Sequence, residues 1–347
     1  MTSSPGNRIV VAVEAGRPCG TAVDWGAEEA RRCRLPLMLV LVGEGAPGQK
    51  PYAPERRRGD EGRNPAEEDL RKAVASVRQQ HPQLEISTSA VANISVRTLC
   101  GPARAAAALV VGARRPNRLP ALFAGEALRP RPIIAHAGCP VVVPEAQSDV
   151  RRKPLFVVGV GVGWDGRRHS AAALHYAFEE AARHKAALRV LHIWHGPLLG
   201  SLDERAALEE CRRLLSQMVA GCQVAHPAVP VHHAVLRGRP ARVLTKESAH
   251  ALGLVLGARG PGWPLSRNST AVRAIRHARC PVVAVPWPNT YARGYGWPQV
   301  RRIVRWSHRA VGHYTRLVAR AVLHPAGRST AEVPRYGAPA QRASDPG

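Results

Sequence analysis

Lysine and acidic residues are both scarce in this 347-residue sequence. Lysine and arginine total 50 against 25 aspartates and glutamates, for a formal net charge of +25, and only five of the 50 are lysine. So basic a chain suits an anionic partner such as nucleic acid or a lipid surface. The arginines are scattered, however, and arginine in place of lysine beside abundant alanine, glycine and proline also results from a GC-rich coding sequence. Charge alone therefore does not define a function.

The sequence also lacks paired cysteines and long apolar runs. Its seven cysteines are widely separated and never spaced as Cys-x-x-Cys, whereas disulfide frameworks and zinc sites need closer spacing. No apolar run approaches the roughly 20 residues of a membrane helix, and no charged and apolar leader pattern opens the chain. We therefore expect reduced cysteines, no membrane span and a cytoplasmic location.

What the sequence does contain is a long internal repeat. Three segments recur in the same order at offsets of 151, 145 and 141 residues, which indicates a duplicated domain of about 140 residues. The matching segments are Trp25–Ala30 with Tyr176–Ala181, Leu109–Arg114 with Leu254–Arg259, and Ala135–Val142 with Arg276–Val283.

Each copy alternates short apolar runs with helical segments. The apolar runs, such as Arg8–Val13 and Leu155–Val160, are typical of strands buried on both faces. Alternation predicts an α/β protein with a doubly wound parallel sheet in each copy, and ligands bound where the strand order reverses. The other predicted strands are Leu37–Val42, Leu84–Val91, Leu109–Val111, Cys139–Val143, Leu188–Trp194, Val229–Leu236, Gly253–Leu256 and Cys280–Val285, and the predicted helices are Thr21–Arg34, Ala66–Gln80, Arg167–His184, Ser201–Val219, Pro240–Ala251 and Asn268–Ala278.

The two Cys-Pro-Val-Val segments end the strand series of their copies and should lie at sheet edges. An exposed apolar edge strand needs to be paired or covered. We predict that the two edges pair with each other across a pseudo-two-fold axis, which makes the monomer a built-in dimer.

These segments together resemble the universal stress protein family in its tandem, actinobacterial form. The resemblance rests on Tyr176–Ala181, Leu191–Trp194, Gly238–Ala241, Leu254–Gly260 and Arg276–Val283. It implies two five-stranded parallel sheets of the adenine nucleotide alpha hydrolase type, a non-enzymatic role in the stress response and, in one branch of the family, ATP binding. The predicted units are domain 1 at 7–145, domain 2 at 153–287 and a basic, largely disordered tail at 288–347.

The ATP-binding branch has Gly-x-x-Gly, nine residues, then Gly-Ser or Gly-Thr. Such a loop lets backbone N–H groups approach phosphates at a helix N-terminus. Domain 2 keeps the first two glycines, but its loop is two residues short and Asn268, which can cap the helix, replaces the third glycine. A residue that is typically acidic is replaced by Gly161. The resemblance places ATP contacts at Gly161, Val162, Ile193, Gly257, Arg259, Gly260, Asn268, Ser269 and Thr270.

Domain 1 departs further from this pattern. Arg115 stands in place of the second glycine, and Glu126 would repel phosphates. Pro130 and Pro132 are expected to disrupt the helix that should follow, whereas Glu14 keeps the acidic position. We therefore expect weak ATP binding at most, with domain 2 the better candidate and domain 1 a degenerate copy.

No catalytic or metal site is predicted. The fifteen histidines form no ligand spacing with one another or with acidic residues, no Gly-x-Ser-x-Gly segment is present, and His192 is expected to be packed or solvated. The paired glutamates Glu28-Glu29 and Glu179-Glu180 are read as solvated helix faces with weak ion pairs to nearby arginines.

The tail leaves two alternatives open. Residues 300–323 place apolar residues among arginines at roughly helical spacing, which suits an amphipathic helix for an acidic partner, a membrane surface or nucleic acid. The same composition also fits an extension without selected structure. The alternative function is accordingly a basic, nucleic-acid-associated protein that binds through this tail, and a protein partner is the other candidate.

Overall fold

A computed structural model describes residues 8–14, 20–42, 65–91, 96–103, 106–112, 130–145, 152–161, 167–194, 204–258 and 269–286. Strands and helices alternate along them as predicted. The first half comprises β1 (Ile9–Glu14), α1 (Gly20–Cys33), β2 (Leu37–Val42), α2 (Pro65–Gln80), β3 (Ile86–Val91), α3 (Val96–Ala103), β4 (Ala108–Val111), α4 (Pro130–His136) and β5 (Val141–Val143). The second half comprises β6 (Leu155–Gly159), α5 (Arg167–Arg183), β7 (Ala187–Trp194), α6 (Glu204–Gln223), β8 (Val231–Arg237), α7 (Pro240–Glu247), β9 (Gly253–Ala258), α8 (Thr270–His277) and β10 (Val282–Pro286).

The described strands form one ten-stranded sheet in the order β3-β2-β1-β4-β5-β10-β9-β6-β7-β8. Strands within each half are parallel, and each half has the same order, so β1 and β6 lie where that order reverses. The prediction of an α/β fold with two tandem parallel five-stranded units is confirmed. The predicted tail at 288–347, with its segment 300–323, lies outside the described residues, and the predicted domain boundaries stay a prediction.

The two halves are joined by an antiparallel pairing of β5 with β10. Val142 lies opposite Val283, with one further pair on each side. These two valines are equivalent in the internal repeat and both are buried. Antiparallel pairing of equivalent residues is what a two-fold axis between the copies requires, and the predicted edge pairing is therefore present.

Continuous apolar strands supply two core layers, one on each face of the sheet. In β1, Ile9, Val11 and Val13 face one layer while Val10 and Ala12 face the other, as the alternation of side chains along a strand requires. The first of these layers continues without interruption from the first half into the second. The two halves therefore share a hydrophobic core as well as a sheet.

Several helices differ from the sequence predictions; α7, for example, ends at Glu247 instead of Ala251. Helix α4 begins at Pro130, although Pro130 and Pro132 were expected to disrupt it. Residues in the first turn have no intrahelical N–H partner, so proline is tolerated there. Helix α3, which contains Gly101 and Pro102, was not predicted; the buried side chains of Leu99 and Cys100 pack it against the sheet.

Helix α1 lies close against the sheet at Gly26. A Cβ atom at this position would lie 2.3 Å from Cγ2 of the buried, β-branched Val11. We expect Gly26→Ala to lower the free energy of unfolding by about 1–2 kcal/mol through overpacking, as measured by urea denaturation. The control is Gly112→Ala, because no heavy atom of the described residues lies within 4 Å of the added methyl group; a change there should stay within about 0.5 kcal/mol. Equal effects of the two substitutions would contradict the prediction.

Candidate functional site

The predicted nucleotide site lies at the carboxyl ends of β6 and β9. These strands are neighbours in the sheet, with Gly159 opposite Leu256, and they flank the point where the strand order of the second half reverses. Gly257 is the second-last residue of β9, and Gly161 follows β6 by two residues. The fold therefore brings together two predicted site residues that are 96 positions apart.

The backbone of Gly161 is already engaged by the protein. Its N–H donates a hydrogen bond of 2.6 Å to Oγ of Ser170, a buried residue on α5. This bond fixes the chain as it leaves β6, and it commits the amide that would otherwise face a ligand. Gly161 can therefore line this edge of the sheet without supplying a hydrogen-bond donor from its N–H group.

Ile193 supplies part of the apolar floor beneath this edge. It lies in β7, is 8% exposed, and packs in one cluster with Leu256 of β9 and Ala271 of α8. Gly159 permits the close packing of this layer, because a Cβ atom there would lie 2.8 Å from side-chain atoms of Leu244 and Leu256. The strands and helices around the site are thus packed against one another by apolar contacts.

Helix α8 begins beside the same edge. Oγ of Ser269 accepts a hydrogen bond of 3.3 Å from the N–H of Val272, and Thr270 is the first helical residue. The cap is therefore Ser269, and the expectation that Asn268 caps this helix is corrected, because Ser269 has the extended backbone of an N-cap residue. The first turn has no acidic residue. The predicted contacts Val162, Arg259, Gly260 and Asn268 lie outside the described residues.

His192 joins β7 to the segment after β6. Its Nδ1 lies 3.0 Å from the carbonyl oxygen of Val160, which can only accept, so Nδ1 carries the proton. Burial lowers the pKa of His192, and the bond to Val160 only partly opposes this. The neutral ring therefore acts as a structural link between strands, in line with the expectation that it is packed.

The corresponding edge of domain 1 is only partly described. Glu14 ends β1 opposite Val42, and Gly112, directly after β4, is exposed, with no heavy atom of the described part of the chain within 4 Å of where its Cβ would lie. Arg115 and Glu126 lie outside the described residues. The prediction that this copy is degenerate stays a prediction.

Among the described residues, the buried carboxylates lie between α1 and α5, where the sequence predicted solvated faces. Glu29 and Glu180 are 5% and 4% exposed, so that interpretation was wrong for these two residues. Arg183 contacts Oε1 of both carboxylates, and Nε2 of His184 lies near Oε2 of both. The set Glu29, Cys33, Glu180, Arg183 and His184 is called the interface cluster below.

The interface cluster shifts the pKa values of its members. Burial opposes the charge on His184, but hydrogen bonds and charges from Glu180 and Glu29 outweigh burial and raise its pKa to about 9. Burial and the negative Glu29 raise the pKa of Cys33 to about 12. Burial also acts against the charge of Glu29, yet hydrogen bonds from His184 and Cys33 keep its pKa lowered.

The sequence did carry a signal for this cluster. Glu29 and Glu180 occupy equivalent positions in the repeat, as do Cys33 and His184. Equivalent residues near a two-fold axis meet each other, so the repeat and the predicted axis together place the two glutamates face to face. Spacing within one helix cannot reveal a contact between residues 151 positions apart.

Comparison with known proteins identifies the family. The model of the universal stress protein family matches residues 6–144 and 159–286. The universal stress protein Rv2623 of Mycobacterium tuberculosis is 30% identical over 79% of this chain and 95% of its own length, and Rv1996 of the same organism is 30% identical over 81% and 95%.

Solved structures agree at the level of the fold. A universal stress protein from Archaeoglobus fulgidus superposes with a TM-score of 0.56 and 14% identity, covering 82% of this chain and 97% of its own. A putative universal stress protein from Pseudomonas aeruginosa has a TM-score of 0.53 at 15% identity, covering 87% and 98%. Within the described residues, no helix has the length and hydrophobicity to span a membrane. The resemblance found in the sequence is confirmed, and this chain belongs to the universal stress protein family.

Proposed function

We propose that this protein acts in the stress response without catalysing a reaction, and that its second domain binds ATP weakly. Family membership supports the stress-response role. The proposal of nucleotide binding has a narrower basis in the second domain. The observation that carries it is the convergence of β6, β9 and the capped start of α8 at one edge of the sheet.

The chemistry of that edge favours an anion over a cation. The first N–H groups of a helix have no intrahelical partner and carry partial positive charge, and the first turn of α8 contains no carboxylate to compete with a phosphate. Gly257 would let the phosphate chain approach the backbone closely. Besides Ser269 and Thr270, the proposed ATP contacts include Arg259, Gly260 and Asn268. These last three contacts rest on the sequence pattern alone.

Two features keep the expected affinity low. The N–H of Gly161 is bonded to Ser170, and no acidic residue stands at that position to hold the nucleoside. The loop between Gly260 and Asn268 is also two residues shorter than the pattern of the ATP-binding branch. Both features reduce the number of contacts that a bound nucleotide can make.

Calorimetric titration of ATP with magnesium into the purified full chain tests the proposal. We expect one ATP per chain, and loss of the binding heat in the double variant Gly257→Asp, Gly260→Asp, because two carboxylates at the loop repel phosphates. The matched control is Gly112→Asp in domain 1, where no atom within the described ranges would contact the new Cβ; it should leave binding unchanged. Circular dichroism checks that each variant is folded.

Absence of heat with the folded wild-type chain would overturn nucleotide binding and leave a nucleotide-independent stress protein. Loss of binding in Gly112→Asp alone would instead place the site in domain 1.

A cytoplasmic location is part of the proposal. The alternative of a nucleic-acid-associated protein rests on the net charge of +25 and the basic segment 288–347, and a steep, salt-dependent affinity for DNA that disappears on deletion of that segment would favour it.

A further inference from the structure

The helices on the two faces of the sheet differ in charge. Helices α1, α2, α5 and α6 pack on one face, and α3, α4, α7 and α8 pack on the other. Among the described side chains, the first four helices carry ten acidic and nine basic residues, which nearly cancel. Those of α7 and α8 carry four basic residues and one acidic residue. The excess of positive charge in the described helices therefore lies on one face.

Five exposed basic side chains form a surface that is called the basic face below. They are Arg242 and Lys246 on α7, Arg273 and Arg276 on α8, and Arg279, two residues after α8. Residues three or four apart share one side of a helix, so each helix presents its pair in one direction. The two helices lie side by side, because Val243 of α7 and Ile275 of α8 pack against the same cluster.

The basic face has no acidic counterpart within the described part of the chain. None of its five side chains forms an ion pair with a described residue. Glu247, the one acidic residue of the two helices, is paired instead with Arg189 of β7 at 2.8 Å. Like charges three or four residues apart destabilise a helix. An anionic partner would relieve this repulsion.

We propose that the basic face binds the phosphate backbone of double-stranded DNA without regard to sequence. Duplex DNA carries one phosphate charge about every 1.7 Å along its axis, so several phosphates can lie across two adjacent helices. Arginine, which supplies four of the five side chains, forms paired hydrogen bonds to phosphate oxygens. The basic face is separate from segment 288–347, on which the alternative function rests.

The composition of the basic face favours a nucleic acid over a membrane or a protein. Helices that lie on lipid surfaces insert large apolar side chains, and protein interfaces depend on a few buried aromatic or apolar anchors. Among the described residues, the exposed large apolar side chain is Val224, which follows α6 on the other face of the sheet. The affinity of the basic face must therefore come from charge, and contacts to phosphates hold a protein on DNA without reading its sequence.

Fluorescence anisotropy of a labelled, random-sequence DNA duplex, titrated with the full chain, tests the proposal. The test variant is Arg242→Ala, Lys246→Ala, Arg276→Ala. Arg273 is kept, because it lies in the first turn of α8 beside the proposed nucleotide site. We expect the test variant to lose at least about tenfold in affinity at about 100 mM salt. The slope of log affinity against log salt should become shallower by about 3, since each phosphate contact contributes about 0.9.

The matched control removes the same charge from the other face of the sheet. Arg78→Ala, Arg205→Ala, Arg212→Ala changes three exposed arginines of α2 and α6, so the two variants have the same net charge. Alanine favours a helix at all of these positions. We expect the control to keep the salt slope within about 1 of that of the wild-type chain. Equal effects of the two triple substitutions, or no effect of either, would overturn the proposal, because total charge or segment 288–347 would then carry the affinity.

Two other results would also overturn the proposal. One is the absence of DNA binding by the folded wild-type chain at low salt. The other is tighter binding to vesicles of phosphatidylcholine and phosphatidylserine than to the duplex, lost in the test variant, because the basic face would then bind a membrane. Neither result bears on the proposed nucleotide site, which the titration with ATP tests separately and which the test variant should leave unchanged.

Discussion

Replacement of Phe178 by alanine should lower the free energy of unfolding by about 4 kcal/mol. Phe178 is fully buried on α5, and its ring stacks on His226 with centroids 5.8 Å apart. Removal of a buried aromatic ring loses the free energy of transferring the ring out of water, and it leaves a cavity that the surroundings only partly fill. Together these two effects typically lower the free energy of unfolding by about 3–5 kcal/mol. Urea denaturation followed by circular dichroism measures the change.

The repeat supplies no second aromatic ring at the equivalent position that could compensate for the loss of Phe178. The equivalent residue in α1 is Ala27, so the first half contributes no ring at the matching place. Phe178→Leu is the control, because it keeps most of the apolar volume and should cost about 1 kcal/mol. A loss below about 1 kcal/mol in Phe178→Ala would mean that the core beneath α5 collapses readily, contrary to its close packing.

Neutralisation of Glu180 should lower the free energy of unfolding by about 2 kcal/mol. Glu180→Gln keeps the shape of the side chain but removes its charge, and this leaves Arg183 and His184 facing Glu29 alone. Loss of one partner of a buried ion pair is strongly destabilising. Because the guanidinium of Arg183 is partly exposed to water, the loss here should be smaller than for a fully buried pair. We expect about 2 kcal/mol, near the contribution of a hydrogen bond to a charged group. Urea denaturation followed by circular dichroism measures the change.

A matched ion pair elsewhere in the chain isolates the role of burial. Glu68 and Arg71 have the same three-residue spacing on α2 as Glu180 and Arg183, but their side chains are 36% and 57% exposed. Glu68→Gln should therefore change stability by no more than about 0.5 kcal/mol. If the two substitutions have equal effects, the burial of Glu180 contributes nothing, and the prediction is wrong.

The strands were predictable because of how this sheet is buried. A strand covered on both faces must be apolar at every position, so runs such as Ile9–Val13 stand out in the sequence. The junction of β5 with β10 was predictable for a different reason. The repeat marks Val142 and Val283 as equivalent, and equivalent edges pair across an axis.

The burial of Glu29 and Glu180 was not predictable from local pattern. A glutamate followed three or four residues later by arginine has the same sequence on a solvated face and in an interface, and only the partner helix distinguishes the two. Helix α3 was missed because Gly101 and Pro102 are poor helix formers, and tertiary packing of Leu99 outweighs that preference.

The candidate nucleotide site was predictable in outline only. The position of Gly257 beside the end of β6 follows from the fold, since ligands of such sheets bind where the strand order reverses. The hydrogen bond from Gly161 to Ser170 could not be foreseen, because it depends on how α5 packs against the chain after β6. The identity of the cap, Ser269 in place of Asn268, depends on a one-residue choice that the local sequence leaves open.

The pairing of β5 with β10 has a consequence for how the two halves stay associated when the protein is dilute. Two separate copies that met through such a junction would dissociate as their concentration fell, because association of free partners costs translational and rotational freedom. Here the residues 144–154 tether β5 to β6, and a short tether holds its two ends at an effective concentration of about millimolar. The two halves therefore remain assembled at the lowest copy number a cell can have, a single chain.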